Sequence, residues 1–262
     1  MKNLISVVVY IYTYRYIHIM KTKKHVVLSL NILLIALALL LITSCSSYTY
    51  QSNYSFNGVV ENSVIKNDGV FIIRPDGDFL DKGLIFYPGG LVSPEAYSPI
   101  AWEIANEAGV VVVIVPMPFD LAVFALRKGL EIIEMLPEIT EWYIAGHSLG
   151  GAMASTLIYE EPGIFRGLIL FGAYPDKKKP LSDIAIPVLS LYGEFDGLAT
   201  LEKIENTKSL LPLSTQYVCI EGGNHAQFGS YGPQKGDGIA TITPEEQWSI
   251  VSKKIADYLR GF

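Results

Sequence analysis

Seven short apolar runs recur along this 262-residue chain, and segments with a helical pattern separate them. Several runs are apolar at every position, as in strands that helices cover on both faces. We therefore expect an α/β fold, a mostly parallel sheet flanked by helices on both faces, with an antiparallel edge hairpin that turns at Asn67-Asp68-Gly69. The runs are Val70–Ile73, Leu84–Tyr87, Val110–Val115, Trp142–Ala145, Leu168–Phe171, Val188–Tyr192 and Tyr217–Ile220.

Two helices carry clear start signals. Ser93-Pro94 predicts a helix that ends at Gly109. Thr243-Pro244-Glu245-Glu246 is a capping box with proline at the first helical position. Behind the box, apolar residues recur at helical spacing and should pack the last helix on the sheet: Trp248, Val251, Ile255 and Tyr258.

The first 44 residues have the composition of a secretory leader, with no Asp or Glu. A basic cluster from Lys21 to His25 precedes the apolar stretch 26–42. Ile42-Thr43-Ser44-Cys45 resembles the lipobox of bacterial lipoproteins, which implies acylation of Cys45; Met20 is an alternative start. The other interpretation is an uncleaved transmembrane anchor, because the stretch is close to the length of a bilayer span.

These features divide the chain into a leader (1–44), a lipidated N-terminus with a flexible tether (45–57) and a single α/β domain (58–262). Both interpretations of the leader place the domain outside the cytoplasm, anchored to a membrane of a bacterial cell envelope. Five of the 20 basic residues lie in the leader, so the rest carries 15 against 26 acidic ones, a net charge of −11. That charge argues against nucleic acid as a partner. Cys219, within an apolar run, is expected in the core.

Gly146-His147-Ser148-Leu149-Gly150 follows one apolar run directly and precedes a stretch of small residues. A G-x-S-x-G motif between a strand and a helix exposes its serine on a sharp turn at the end of the sheet. Ser148 is therefore the candidate nucleophile. A serine hydroxyl needs an adjacent base, which is itself held by a carboxylate.

The base and the acid are expected on loops that follow later strands. His225 is the candidate base, since two of the other histidines lie in the leader and His147 lies inside the motif. Asp196 is the preferred acid, because it lies in the loop beyond a strand end. Glu194 and Asp183 are the alternatives.

The oxyanion of such a reaction needs two backbone N–H donors that are already in place. Leu149, the residue after the nucleophile, should supply one. The loop Pro88-Gly89-Gly90-Leu91 should supply the other, with Gly90 as the preferred donor.

Together these residues resemble the α/β-hydrolase superfamily over nearly the whole domain. Within it, the chain looks like the α/β-hydrolase-fold-5 group, which is related to dienelactone hydrolases. That resemblance implies the α/β-hydrolase fold, with Ser148 as nucleophile, Asp196 as acid and His225 as base. Dienelactone hydrolases use a cysteine where this chain has Ser148, so their substrate does not transfer. The segments that carry the narrower likeness are Tyr87-Pro88-Gly89-Gly90, Pro116-Met117-Pro118, the stretch from Gly223 to Gly229, Tyr231-Gly232-Pro233-Gln234 and Gly236-Asp237-Gly238.

The segment from Gly172 to Pro187 is too short for a cap domain, so smaller loops should roof the pocket. Met117 and Phe119 are candidates for its walls, with the core as an equal alternative. The expected function is hydrolysis of a small or medium ester, thioester or amide through an acyl-enzyme, with no metal or organic cofactor. Acyl transfer at the same site and a non-catalytic surface lipoprotein are the alternatives. The full set of candidate pocket residues is Leu91, Met117, Phe119, His147 and Phe228.

Overall fold

A computed structural model describes residues 49–53, 64–67, 69–77 and 80–261 of the chain. The described residues form one compact unit. The predicted leader, its lipidation site Cys45 and most of the predicted tether lie outside the described residues. Within the described ranges, no helix has both the length and the apolar character that a membrane span requires.

Within these described ranges, eight strands form one sheet in the order β1-β2-β4-β3-β5-β6-β7-β8. β1 and β2 form an antiparallel pair at one edge, β2 pairs antiparallel with β4, and the remaining strands are parallel. The predicted α/β fold and the edge hairpin are confirmed. The strands are β1 (Val64–Asn67), β2 (Val70–Ile73), β3 (Lys82–Tyr87), β4 (Val111–Ile114), β5 (Glu141–His147), β6 (Leu168–Phe171), β7 (Val188–Gly193) and β8 (Gln216–Ile220).

The described part of the chain has five α-helices, which flank the sheet: α1 (Ser98–Ala108), α2 (Lys128–Met135), α3 (Leu149–Glu160), α4 (Leu201–Thr207) and α5 (Pro244–Arg260). The predicted helix from Ser93 to Gly109 is split, because a 3₁₀ turn over Pro94–Tyr97 precedes α1. Gly109 ends α1 with φ 65°, a left-handed conformation that glycine adopts without strain. Thr243 and Glu246 form the predicted capping box of α5.

The hydrophobic core lies on both faces of the sheet. On one face α1 and α5 cover alternate side chains of the central strands, among them Leu84, Phe86 and Ile169. On the other face α2 and α3 cover the intervening ones, among them Ile85 and Leu170. This double cover explains why the sequences of these strands are apolar at consecutive positions.

The expected core position of Cys219 is wrong. Cys219 is exposed to solvent. The remaining desolvation of its thiol, and then the nearby carboxylates of Glu194 and Glu221, raise the pKa of the thiol. Cys219 lies on β8, the outermost strand, where only Ile220 is fully buried. An apolar run at the edge of a sheet is not covered as a central one is.

Candidate active site

Ser148 lies at the sharp turn between β5 and α3. Its backbone has φ 51° and ψ −119°, a conformation that residues other than glycine rarely adopt. Such backbone strain costs about 1–3 kcal/mol of stability. Its N–H donates to the carbonyl of Phe171 at 3.0 Å, which ties the turn to the end of β6. The strain exposes the serine at the carboxyl end of the sheet, as the motif predicts.

The glycines around Ser148 are required by close approach of backbone. A Cβ atom on Gly146 would lie 2.4 Å from the carbonyl carbon of Gly150, and one on Gly150 would lie 2.1 Å from the carbonyl oxygen of Tyr87. A Cβ on Gly151 would lie 2.5 Å from the Cβ of Ala173. Any larger residue would push α3 away from the sheet and move the turn.

The predicted base and acid are in direct contact. Nδ1 of His225 lies 2.8 Å from Oδ2 of Asp196, and both side chains are almost completely buried. The other carboxylate oxygen, Oδ1, accepts the N–H groups of Leu198 at 2.8 Å and Ala199 at 2.6 Å. These two amides and the imidazole hold the buried Asp196 carboxylate in one orientation.

The alternative acids lie elsewhere. Oε2 of Glu194 accepts the N–H of Gly222 at 2.9 Å, and Asp183 is exposed. Of the three candidate carboxylates, only Asp196 contacts the ring of His225. Its position beyond the end of β7 allows this contact.

Ser148 and His225 line the same cavity, which has a volume of about 260 Å³. Nε2 of His225 is buried, and no described residue forms a hydrogen bond with it. A ring nitrogen that faces away from its carboxylate partner can accept a proton from a nucleophile in the cavity. The other lining residues are mostly small or apolar: Leu149, Ala152, Gly172, Ala173, Tyr174, Leu198 and Ala199.

The loop after β3 leaves one amide available. The N–H of Gly89 donates to the Tyr97 hydroxyl at 3.0 Å, and the N–H of Leu91 donates to the carbonyl of Asp120 at 2.8 Å. Between them, the N–H of Gly90 has no acceptor among the described residues. The Gly90 backbone also lies against the Leu149 side chain. Leu149 begins α3, so its own N–H lacks an acceptor within the helix.

His147 connects this loop with the base. Its Nδ1 lies 2.8 Å from the Tyr97 hydroxyl, and its ring centroid lies 4.3 Å from that of His225. Burial, and then the neighbouring His225, hold the pKa of His147 well below 6.5. Burial also raises the pKa of Tyr97, so a neutral hydroxyl accepts from Gly89 and donates to a neutral imidazole.

None of the five predicted pocket residues lines this cavity. Met117, His147 and Phe228 are buried, and Phe228 packs edge-on against Phe171 beneath the site. Phe119 is 67% exposed and contacts Phe124. The walls come instead from the start of α3, the loops after β6 and β7, and His225. Leu91 adopts φ 58° and fixes the turn after Gly90.

Three residues that organise the site were not singled out from the sequence. Tyr97 lies in a 3₁₀ turn, Gly172 directly follows β6, and Asp237 lies on the loop before α5. The Gly236-Asp237-Gly238 motif is the only local signal for Asp237. Among the described residues, no group of three or more His, Cys, Asp or Glu side chains could hold a metal ion.

The sequence pattern of the alpha/beta hydrolase family matches residues 83–249. The chain belongs to the alpha/beta hydrolase family. The matched residues run from β3 to the first part of α5 and include every element that carries the candidate site. A comparison with curated protein sequences finds no match.

Solved structures of other alpha/beta hydrolases share this fold at low sequence identity. Est1E from Butyrivibrio proteoclasticus is 17% identical with a TM-score of 0.55, and the alignment covers 76% of this chain and 97% of Est1E. Carboxylesterase CesB from Bacillus subtilis is 14% identical with a TM-score of 0.55, over 74% and 88% of the two chains. Dienelactone hydrolase from Anabaena variabilis is 14% identical with a TM-score of 0.53, over 74% and 91%.

Proposed function

We propose that this alpha/beta hydrolase is a serine hydrolase that cleaves a small or medium carboxylic ester through an acyl-enzyme. One observation carries the proposal. Asp196 holds His225 through Nδ1, and the opposite nitrogen Nε2 is buried without a partner in the described structure, beside the cavity that Ser148 lines. A serine hydroxyl needs an adjacent base to become a nucleophile at neutral pH, and His225 is the base that lines the same cavity as Ser148.

In the acylation step, His225 takes the proton of the Ser148 hydroxyl as its oxygen attacks the ester carbonyl. The N–H groups of Gly90 and Leu149 donate to the oxyanion of the tetrahedral intermediate. The intermediate collapses, the bond to the alkoxy oxygen breaks, and His225 returns the proton to the leaving alcohol. Asp196 keeps the imidazole oriented and stabilises its charged form throughout.

In the deacylation step, His225 removes a proton from water as the water oxygen attacks the acyl carbon. The second intermediate collapses, the acid leaves, and His225 returns the proton to Ser148. An alcohol in place of water would give acyl transfer, and product analysis with an added alcohol distinguishes that reaction from hydrolysis.

The cavity supports a neutral acyl group of modest size. Small side chains form much of its wall, and its lining includes no Lys or Arg from the described part of the chain. The nearby Lys177 and Lys178 are exposed, and Lys179 pairs with Glu160 at 2.6 Å. An acyl group with its own carboxylate would therefore lack a charged partner there. A carboxylesterase and a dienelactone hydrolase share the fold, and esters are the first substrate class to test.

The test is labelling with a fluorophosphonate and hydrolysis of p-nitrophenyl esters of graded acyl length. Wild-type protein should be labelled at Ser148 and should prefer short acyl chains. Ser148→Ala should lower kcat by at least about 10³-fold while the circular dichroism spectrum is unchanged. Ser155→Ala is the matched control, because Ser155 lies on α3, the helix that follows Ser148, and its hydroxyl donates to the Gly151 carbonyl at 2.9 Å. Absence of labelling in folded wild-type protein would favour the non-catalytic binding protein.

We also propose that the N-terminal segment anchors the enzyme to the membrane of a bacterial cell envelope, through lipid on Cys45. The proposal rests on the basic cluster, the apolar stretch and the lipobox-like residues of the sequence. Acyl chains anchor a protein in proportion to their buried methylenes, and firm attachment needs more than one chain.

A further inference from the structure

The carboxylate of Asp237 accepts hydrogen bonds from both loops that carry the proposed acid and base. Oδ1 accepts the N–H of Gly197 at 3.0 Å and that of His225 at 3.2 Å. Oδ2 accepts the N–H of Ala226 at 2.8 Å. Gly197 directly follows the acid, and the other two donors are the base itself and its neighbour.

The two loops follow the adjacent parallel strands β7 and β8. Close to the strands, backbone hydrogen bonds connect one loop to the other. Phe195 donates to the Gly223 carbonyl at 2.8 Å, and Glu194 donates to that of Ile220 at 3.0 Å. Farther out, the described hydrogen bonds between the loops are the Asp196–His225 bond and those through Asp237. The carboxylate therefore spans the gap where the acid and the base must meet.

The backbone around Asp237 is packed tightly against the acid loop. A Cβ atom on Gly238 would lie 2.0 Å from the carbonyl oxygen of Phe195, and one on Gly197 would lie 2.2 Å from that of Gly236. Asn224 adds a third tie, since its Nδ2 donates to the Gly238 carbonyl at 2.8 Å. The segment 236–238 cannot move without moving the acid loop and the base loop with it.

The charge of Asp237 is balanced by amides rather than by a cation. Among the ion pairs between described residues, none includes Asp237, whereas four backbone N–H groups point at its two oxygens, that of Gly238 included. Hydrogen bonds to an ionised acceptor are about twice as strong as neutral ones. An asparagine at this position would keep one oxygen as an acceptor, but its NH₂ group would take the place of the other oxygen and face an N–H donor.

We propose that Asp237 is a positioning residue for the reaction, which sets the separation and direction of Asp196 and His225 through their backbones. It does not line the cavity that Ser148 shares with His225, so it acts without touching the substrate. This inference rests on the proposed serine hydrolase function. A residue that only stabilised the fold would change the amount of active enzyme and leave the turnover of each active site unchanged.

The experiment compares wild type, Asp237→Ala and Asp237→Asn on a short p-nitrophenyl ester, well below each melting temperature. Active sites are titrated with a fluorophosphonate, and kcat is expressed per titrated site. Asp237→Ala should lower kcat about 100-fold and Asp237→Asn about tenfold, with KM changed by less than about threefold, because a misplaced catalytic group affects the chemical step most. The partial rescue by asparagine follows from the oxygen that it keeps.

Glu194→Ala is the matched control. It removes another carboxylate that holds a loop amide at the same end of β7, that of Gly222, without contact to Asp196 or His225. We expect a lower melting temperature and a kcat within about threefold of wild type.

A kcat per site within threefold of wild type in Asp237→Ala, or an equal loss in Glu194→Ala, would overturn the inference. If Asp237→Ala does not fold, Asp237→Asn decides: a loss of fivefold or more supports positioning, and a smaller loss refutes it. Failure of wild-type protein to react with the fluorophosphonate would instead refute the proposed function.

Discussion

Gly172 offers a direct test of the acid–base pair. It follows β6 with φ 50°, and a Cβ atom there would lie 2.8 Å from Oδ2 of Asp196 and 2.9 Å from Nδ1 of His225. These are the two atoms that form the bond between acid and base. Gly172→Ala therefore places one methyl group against the pair without changing either side chain.

The structure sets the size of the effect. An alanine in the left-handed region costs about 1–2 kcal/mol of stability relative to glycine. Ordinary contact begins at 3.4 Å, so the acid and the base must retreat by about 0.5 Å. Displacement of a catalytic group by about 1 Å costs roughly 100-fold in rate. We expect kcat/KM to fall about tenfold or more, beyond the loss of stability.

Gly109→Ala separates the two effects. Gly109 has φ 65°, and a Cβ atom there would meet nothing within 4 Å. Both variants should therefore lose similar stability from the backbone, measured by urea unfolding. Only Gly172→Ala should lose kcat/KM on a short p-nitrophenyl ester and react more slowly with a fluorophosphonate. Equal activity of the two alanine variants would refute the assignment of Asp196 and His225 as the working pair.

Three further predictions test other parts of the structure. Tyr97→Phe removes the acceptor of the Gly89 N–H, so kcat should fall about tenfold and the free energy of unfolding should fall by about 1–3 kcal/mol. An unchanged kcat would show that Tyr97 does not hold the oxyanion loop in place. Burial lowers the pKa of His147 in the folded protein, so below pH 6.5 this imidazole becomes protonated in the unfolded chain but not in the folded one. The free energy of unfolding should therefore decrease as the pH is lowered, by up to about 1.4 kcal/mol per pH unit. The melting temperature of His147→Asn should therefore depend less on pH between 7 and 5, and an equal slope would contradict this. Cys45→Ala should move the protein from the membrane to the soluble fraction; continued membrane partitioning would favour an uncleaved anchor.

Much of the fold could be predicted because its signals are local. β2 and β6 have the bounds of the apolar runs that predict them, since consecutive apolar residues suit a strand covered on both faces. The capping box of α5 needs only Thr243 and Glu246, which are three residues apart. The strained turn at Ser148 likewise depends on glycines within the same short segment.

Local patterns in the sequence predict the central strands, the end of the sheet that carries Ser148 and a short set of titratable side chains near it. They do not predict which carboxylate meets His225, which residues line the cavity or how Asp237 joins the two loops. An apolar residue is not assigned its neighbours by its local pattern: Phe228 is buried in the core, whereas Cys219 lies at an exposed edge. The contacts of the site join loops that are far apart in the chain, and the order of the strands in the sheet brings those loops together.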